Sequence, residues 1–197
     1  NEVAPAFSVT VNDGDVDSNT LAATVTYTPV NDAPVVTSAS LTLSEGQTVT
    51  LAPANFSITD PDDGSFTYTV SSISGGYFQL SSAPGTPITT FTSANLSGGL
   101  VQFVDDGNEV APAFSVTVND GDADSNTLVA TVTYTPVNDA PTLTSFAAPV
   151  DTTAEDTEVE MTLAELKAQG DENDVDGTVD AFVVKAVSTG TLKIGAD

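Results

Sequence analysis

The chain contains no cysteine, histidine, arginine or tryptophan, and its only lysines are Lys167, Lys185 and Lys193. Each absence removes a chemistry. Without cysteine there is no disulfide, thiolate nucleophile or thioester. Without cysteine and histidine there is no zinc-type ligand set, and no imidazole to act as a base near neutral pH. Isopeptide staples need lysine, and residues 35–141 have none. No glycine-rich loop has the phosphate-cradling pattern. Against three basic side chains stand 28 acidic ones, giving a net charge of −25. Such a surface repels phosphate backbones and anionic lipid, which excludes nucleic acid as a partner. No apolar run approaches the roughly 18 residues that a spanning helix needs, so membrane insertion of this segment is not expected. Paired carboxylates can cleave glycosides, but these acids lie in Gly/Asn/Pro turns without tryptophan to stack a sugar. The reading is a protein that is not an enzyme.

Hydrophobic residues make up 40% of the chain, too many for a charged disordered tail. The first 34 residues return almost unchanged at 108–141, differing only at Val16/Ala123 and Ala22/Val129. The offset of 107 is the size of a whole domain, so the organisation is a domain array rather than a solenoid. Residues 1–34 read as the C-terminal part of a preceding repeat. Residues 35–141 read as a complete repeat, and residues 142–197 as the N-terminal part of a following, divergent one. The chain thus reads as a window on a longer array.

The dominant hydrophobic period is two. Phe114, Val116 and Val118 alternate with hydroxyl residues, as do Leu128, Ala130, Val132 and Tyr134. That is the pattern of half-buried strands. Further strands are expected over 41–43, 48–51, 66–70, 77–80 and 100–104, between turn clusters such as Asp60-Pro61-Asp62-Asp63-Gly64 and Ser74-Gly75-Gly76. About seven short strands per repeat predict an all-β sandwich, immunoglobulin-like with Greek-key connections. One stretch reads helical, residues 162–168, ended by Gly170, while residues 51–56 read as a short helical turn at most.

The hard-oxygen groups gather in clusters: Asp13, Asp15 and Asp17; Asn31 and Asp32; Asp60, Asp62 and Asp63; Asp105, Asp106 and Glu109; Asp120, Asp122 and Asp124; Asn138 and Asp139; Asp174 and Asp176. Carboxylates and amides in flexible turns form a calcium-type set. Asp, Asn and Gly are also ordinary turn formers, so some of these acids are expected to be caps. The divergent third repeat places Glu155 opposite Glu45, Asp174 opposite Asp60 and Asp176 opposite Asp62. Two copies with different cores keep acids at matching places, which favours a shared task. The flanking helices and distal Glu of a calcium-binding hand loop are absent. The sequons at Asn55 and Asn95 read as chance.

"TYTPVNDAP" at both repeat ends resembles the linker of cadherin repeats. "LSEGQ", with Glu45, resembles their early Glu motif, and "ITDPDDGSFTYTV" their Asp-x-Asp loop and following Tyr-bearing strand. "FSVTVNDGDADSNTLVATVTYTPVNDAP" resembles their last two strands. The usual Leu-Asp-Arg-Glu motif is missing. In its place stands "FTSANLSGGLVQFVDDGNEV", similar to the cadherin-related repeats of chondroitin sulfate proteoglycans and large bacterial surface proteins. The resemblance implies Ca2+ between consecutive repeats. Its ligands would be Asn31, Asp32, Asp60, Asp62 and Asp120 at the first junction. At the second they would be Glu45, Asp105 or Asp106, Asn138, Asp139, Asp174 and Asp176.

The expected function is a calcium-rigidified structural repeat of a long adhesin or surface fibre, extracellular or at the cell surface. Its partners would be neighbouring repeats of the same chain. Two alternatives stay open. One is a carbohydrate- or protein-binding module, which would need an exposed aromatic platform. The other is self-assembly into a filament, with residues 1–34 of one copy completing residues 142–197 of another by strand addition. In such a joint the counterpart of residues 84–107 would be missing.

Overall fold

The structure is a computed structural model, and it describes residues 3–193. The chain forms two compact units, Asn1–Pro136 and Val137–Asp197. The first opens with a two-stranded antiparallel hairpin, β1 (Ala6–Val9) against β2 (Leu21–Thr24). After it come β3 (Val35–Ser44), β4 (Thr48–Thr50), β5 (Phe56–Thr59), β6 (Thr67–Ser74), β7 (Gly76–Leu80) and β8 (Thr90–Thr92). A short helix α1 (Ser93–Ser97) leads to β9 (Val101–Asp105), β10 (Ala113–Asn119), β11 (Leu128–Val129) and β12 (Thr131–Thr135).

These strands form three sheets, ordered β11-β10-β6-β8, β12-β3-β5 and β4-β9-β7. Alternation puts every second side chain inside. Along β3, Val36, Ala39, Leu41 and Leu43 are buried, and along β10 Phe114, Val116 and Val118. The centre is aromatic. Phe78 meets Phe103 and Phe114 edge-on, with ring centroids 5.1 and 5.0 Å away. Each such ring contributes about 1.5–3 kcal/mol by leaving water. The body is an all-β sandwich around one core, as the alternation predicted.

The structure corrects the strand count. Ten strands, not about seven, make up β3–β12. β5 and β8 are only four and three residues long, too short for a period of two to show. The alternating run through residues 128–134 is not one strand. It breaks at Ala130: β11 pairs antiparallel with β10, and β12 crosses to pair parallel with β3. Residues 162–168 are not the only helical stretch either. α1 is capped by Thr92, whose hydroxyl accepts from the Asn95 amide, while Asn95 bonds back to Thr92. The sequon asparagines are both engaged, Asn95 in this cap and Asn55 in bonds to Ala52 and Ser40.

Two local devices fix the ends of the sandwich. Asn126 clamps the start of β3: its side chain accepts from the Val36 amide at 2.9 Å and donates to the Val36 carbonyl at 3.1 Å. The β6–β7 corner runs through Gly75 and Gly76. At Gly76, with φ of +150°, a Cβ would stand 2.2 Å from the Val104 carbonyl oxygen, so only glycine lets the two backbones approach.

The second unit, described by itself, contains α2 (Leu163–Gln169), capped by Thr162 and ended at Gly170 as expected. Bridges join Thr142 to Asn173 and Phe146 to Gly170. Many of its apolar residues stay exposed, among them Leu143, Phe146, Val183, Val184 and Val187.

Candidate metal centres

β3 carries the chain from one acidic cluster to another. It starts just after Asn31 and Asp32 and ends at Ser44, beside Glu45. Ten residues in extended form span roughly 30 Å. Parallel to it, β12 ends where the Thr135 carbonyl accepts from the Glu45 amide at 3.0 Å.

At the β3 start, the structure brings together the five residues expected at the first junction. The Asp32 amide donates to Asp62 Oδ2 at 2.9 Å. Asn31 Nδ2 donates to Asp120 Oδ2 at 3.1 Å. Asp60 Oδ1 accepts from the amides of Asp62 and Asp63, at 2.8 and 2.9 Å. Its other oxygen, Oδ2, is buried without a hydrogen-bond partner. Asp32 and Asp60 also line one surface depression with Ala33, Val35, Thr59 and Pro61.

At the β3 end, the acids come from three segments. Asp105 closes β9 and is only 6% exposed. Its Oδ2 accepts from the amides of Gly46 and Gly107, at 2.8 and 3.1 Å, while its buried Oδ1 has no partner. A buried carboxylate oxygen left this way costs free energy unless a cation or donor meets it. Carboxylate oxygens of Glu45 and Glu109 lie within 4.8 Å of each other. Tyr134 registers the charge. Partial burial, then the negative charge of Glu45, Asp105, Glu109 and Asp106, pushes its hydroxyl up to about 12. That hydroxyl donates to the Asn108 carbonyl. Asp106 is exposed and its Oδ1 is engaged by Asn108, so Asp105 is the inward member of the Asp105/Asp106 pair.

The second unit shows the same local arrangement as the β3 start. The Asp139 amide donates to Asp176 Oδ1 at 3.3 Å, as Asp32 does to Asp62. Asn138 Nδ2 reaches the Asp139 carbonyl, as Asn31 reaches that of Asp32. Asp174 Oδ1 accepts from the Gly177 amide at 3.1 Å. The Thr142–Asn173 bridge corresponds to the Val35–Thr59 pair, one residue before each Asp-x-Asp loop. Glu155 is exposed.

Several acids of the clusters also shape their own turns. Asp13 and Asp120 each accept two amides within their own loops: Asp15 and Val16, and Asp122 and Ala123. Those bonds hold both carboxyls below the usual value of 3.8. Asp17 and Asp124 accept from Asn12 and Asn119, and Asp15 and Asp122 are exposed. Two roles escaped the sequence reading. Tyr134 faces the carboxylates, although alternation marked it only as a core residue. Asp171 clasps the turn at Thr144 and Ser145. The Thr144 hydroxyl and Ser145 amide hold its carboxyl far below the usual range. Nothing in its sequence context distinguishes it from its acidic neighbours.

Among the described residues no helix is long and apolar enough to cross a membrane. Chondroitin sulfate proteoglycan 4 from Homo sapiens is 39% identical over 104 residues, covering 50% of this chain and 4% of that protein. The same protein from Mus musculus is 38% identical over the same length, again 4% of the whole. The match thus spans a small fraction of these relatives. Among solved structures, the S-layer protein SbsC, domains 4 and 5, is 19% identical, with 66% of each chain covered and a TM-score of 0.29, too low to carry an argument. Residues 34–134, half of the chain, match the family described as cadherin-like. With its sandwich of sheets and its acidic linker motifs, the chain belongs to the cadherin-like family.

Proposed function

We propose that this chain is a calcium-stiffened spacer of a long extracellular protein, an adhesin or surface fibre, in which repeats hold a distance and a direction. The observation that carries this reading is Asp105, 6% exposed, with one oxygen unpartnered and the other held by the amide of Gly46, next to Glu45, whose carboxylate lies within 4.8 Å of that of Glu109. Within the first unit, Ca2+ would be held by Asn31, Asp32, Asp60, Asp62 and Asp120 at one end of β3, and by Glu45, Asp105 and Glu109 at the other. Within the second, Asn138, Asp139, Asp174 and Asp176 are the corresponding donors. All are hard oxygens, in turns or, for Asp105, at a strand end, which suits calcium's loose coordination of six to eight ligands. Bound calcium supplies positive charge to clustered carboxylates that otherwise repel. Asp32 belongs to the linker, while Asp60 and Asp62 belong to the loop after β5. An ion joining them would fix the linker to the repeat that follows it.

Within residues 35–141 no aromatic residue is exposed, which favours a spacer over a sugar-binding module for that repeat. Phe56, Tyr68, Phe78, Phe91, Phe103 and Phe114 are all buried in the core. The test is a thermal melt with calcium, with magnesium and with chelator, beside direct calcium titration by calorimetry. Sites with Kd of about 10⁻⁴–10⁻³ M, in calcium ten- to a hundredfold higher, add about 1.4–2.7 kcal/mol each. A calcium-specific rise in Tm, reduced by Asp105→Asn and by Asp60→Asn, is the expected result. No binding heat and no shift would overturn the reading.

A further inference from the structure

We propose that Tyr134 is a positioning residue for the metal centre at the β3 end: one hydrogen bond from its hydroxyl holds the Asn108–Glu109 peptide, and so keeps the Glu109 carboxylate close to that of Glu45. The inference rests on the calcium reading above and adds to it a residue that acts on the loop rather than on the ion. The acids at this end are unequally fixed. Glu45 follows β3, and its amide is tied to the Thr135 carbonyl of β12. Asp105 closes β9, 6% exposed, with Oδ1 unpartnered and Oδ2 on the amides of Gly46 and Gly107. Glu109 lies in the loop between β9 and β10. At its start that loop is held by the Gly107 amide on Asp105 and by the Asp106 amide on the Gly75 carbonyl. Further on, its bonds are largely its own: Asp106 Oδ1 accepts from the Asn108 amide, and Asn108 Oδ1 from the Val110 amide. Bonds of that kind shape a turn without fixing where it stands.

The Tyr134 hydroxyl links the loop to the sheet. It donates at 2.5 Å to the Asn108 carbonyl, which belongs to the peptide group leading into Glu109. Tyr134 is itself set in β12, paired with Leu43 of β3, two residues before Glu45. Glu45 and Glu109 are thereby referred to the same pair of strands. The bond works against a repulsion. Carboxylate oxygens of Glu45 and Glu109 lie within 4.8 Å of each other. Like charges that close repel, and a released loop carries Glu109 away. The ion would then have to gather the ligand back, and that ordering lowers affinity. Groups that orient metal ligands are commonly worth about ten- to a hundredfold in affinity. The ring of Tyr134 packs against the core, so Tyr134→Phe removes the link and keeps the packing.

The test is a calcium titration of the full chain followed by amide NMR. The amides of Gly46 and Gly107, bonded to Asp105, report the β3 end. Those of Asp62 and Asp63, bonded to Asp60, report the β3 start. Tyr134→Phe should raise the Kd read at the β3 end about tenfold and leave the Kd at the β3 start unchanged. In a Glu109→Gln background the same change should add nothing, because the hydroxyl acts through Glu109. In chelator, relaxation of the Glu109 amide should show the loop more mobile in Tyr134→Phe than in the parent. An unchanged Kd in Tyr134→Phe would overturn the inference and leave the calcium reading standing. So would equal weakening at both ends of β3, the mark of a loosened fold, or a full further loss in the Glu109→Gln background. If calcium moves neither Gly46 nor Gly107 in the parent chain, the inference falls together with the calcium reading at this end.

Discussion

Residues 1–34 and 108–141 are nearly one sequence in two settings. In the second, Phe114 sits at the aromatic centre; in the first, Phe7 faces solvent. Both form an antiparallel strand pair, β1–β2 and β10–β11, and both close the same Asn-Asp-Gly-Asp turn with the same bonds. Local structure therefore follows local sequence here, turn chemistry included. Burial does not: among the described residues β6 and the opposing sheet cover the second copy and not the first. Because the residues are matched, each pair measures what tertiary context adds.

The largest expected contrast is at the phenylalanines. Phe114→Ala removes a ring packed against Phe78 and Phe103, and should cost about 3–5 kcal/mol. Phe7→Ala, at 56% exposure, should leave the melt of the sandwich unchanged. Denaturant unfolding of the two variants checks both. A comparable loss at Phe7 would mean that the hairpin face is covered in solution. The next contrast is at the asparagines. Asn126→Ala frees the buried amide and carbonyl of Val36 and should cost about 1–3 kcal/mol. Asn19 makes no side-chain hydrogen bond among the described residues, so Asn19→Ala should fall within about 0.5 kcal/mol of the parent.

The same contrast explains what the sequence could and could not disclose. The alternation in β3 and β10 and the Gly/Asp turns were legible because they are local. So was the capped helix α2. The break at Ala130 was not, because Leu128, Ala130, Val132 and Tyr134 keep one uninterrupted period while changing sheets. α1 was hidden among Ser, Asn and Gly that read as loop, although Thr92 and Asn95 make a reciprocal cap. At the candidate site, internal repetition pointed to Asp60, Asp62, Asp174 and Asp176: Asp62 and Asp176 accept directly from the linker amides of Asp32 and Asp139, while Asp60 and Asp174 accept from amides of their own loops. Choosing between Asp105 and Asp106 required burial, which adjacent identical residues cannot reveal. The closeness of Glu109 to Glu45 depends on how far the turn after β9 folds back, and no spacing rule encodes that.

Tyr134 and its counterpart Tyr27 extend the comparison to charge. With its hydroxyl raised to about 12 against an ordinary 10, folded Tyr134 keeps its proton where the unfolded chain has lost it. Its contribution to stability is complete below pH 10 and falls away as pH rises from 10 through 12. An alkaline titration followed by phenolate absorbance should show late titration from Tyr134 and from the buried Tyr68, whose hydroxyl burial also pushes up; Tyr134→Phe should remove the first part and Tyr27→Phe leave both. Calcium should move the Tyr134 step to lower pH, since a cation among Glu45, Asp105 and Glu109 opposes the charge that holds the proton on. If the step ignores calcium, no ion binds at that end of β3.

The smallest contrast is the most local. Asp13 and Asp120 sit in matched turns, and backbone amides lower both carboxyls: chiefly Val16 then Asp15 for the first, Ala123 then Asp122 for the second. Only Asp120 also accepts from Asn31, across from the linker. Asn31→Ala should therefore raise the Asp120 titration slightly, read by NMR of the side-chain carboxyl, and leave that of Asp13 in place. Both groups have depressed values when folded, so each favours the native chain above the unfolded carboxyl range, and that support is lost as acid protonates them. A shift at Asp120 alone would show that Asn31 reaches the loop in solution, holding the linker beside the acids before any metal arrives. Equal behaviour of the two aspartates would mean that the linker is loose without calcium, and that stiffening begins only when the ion binds.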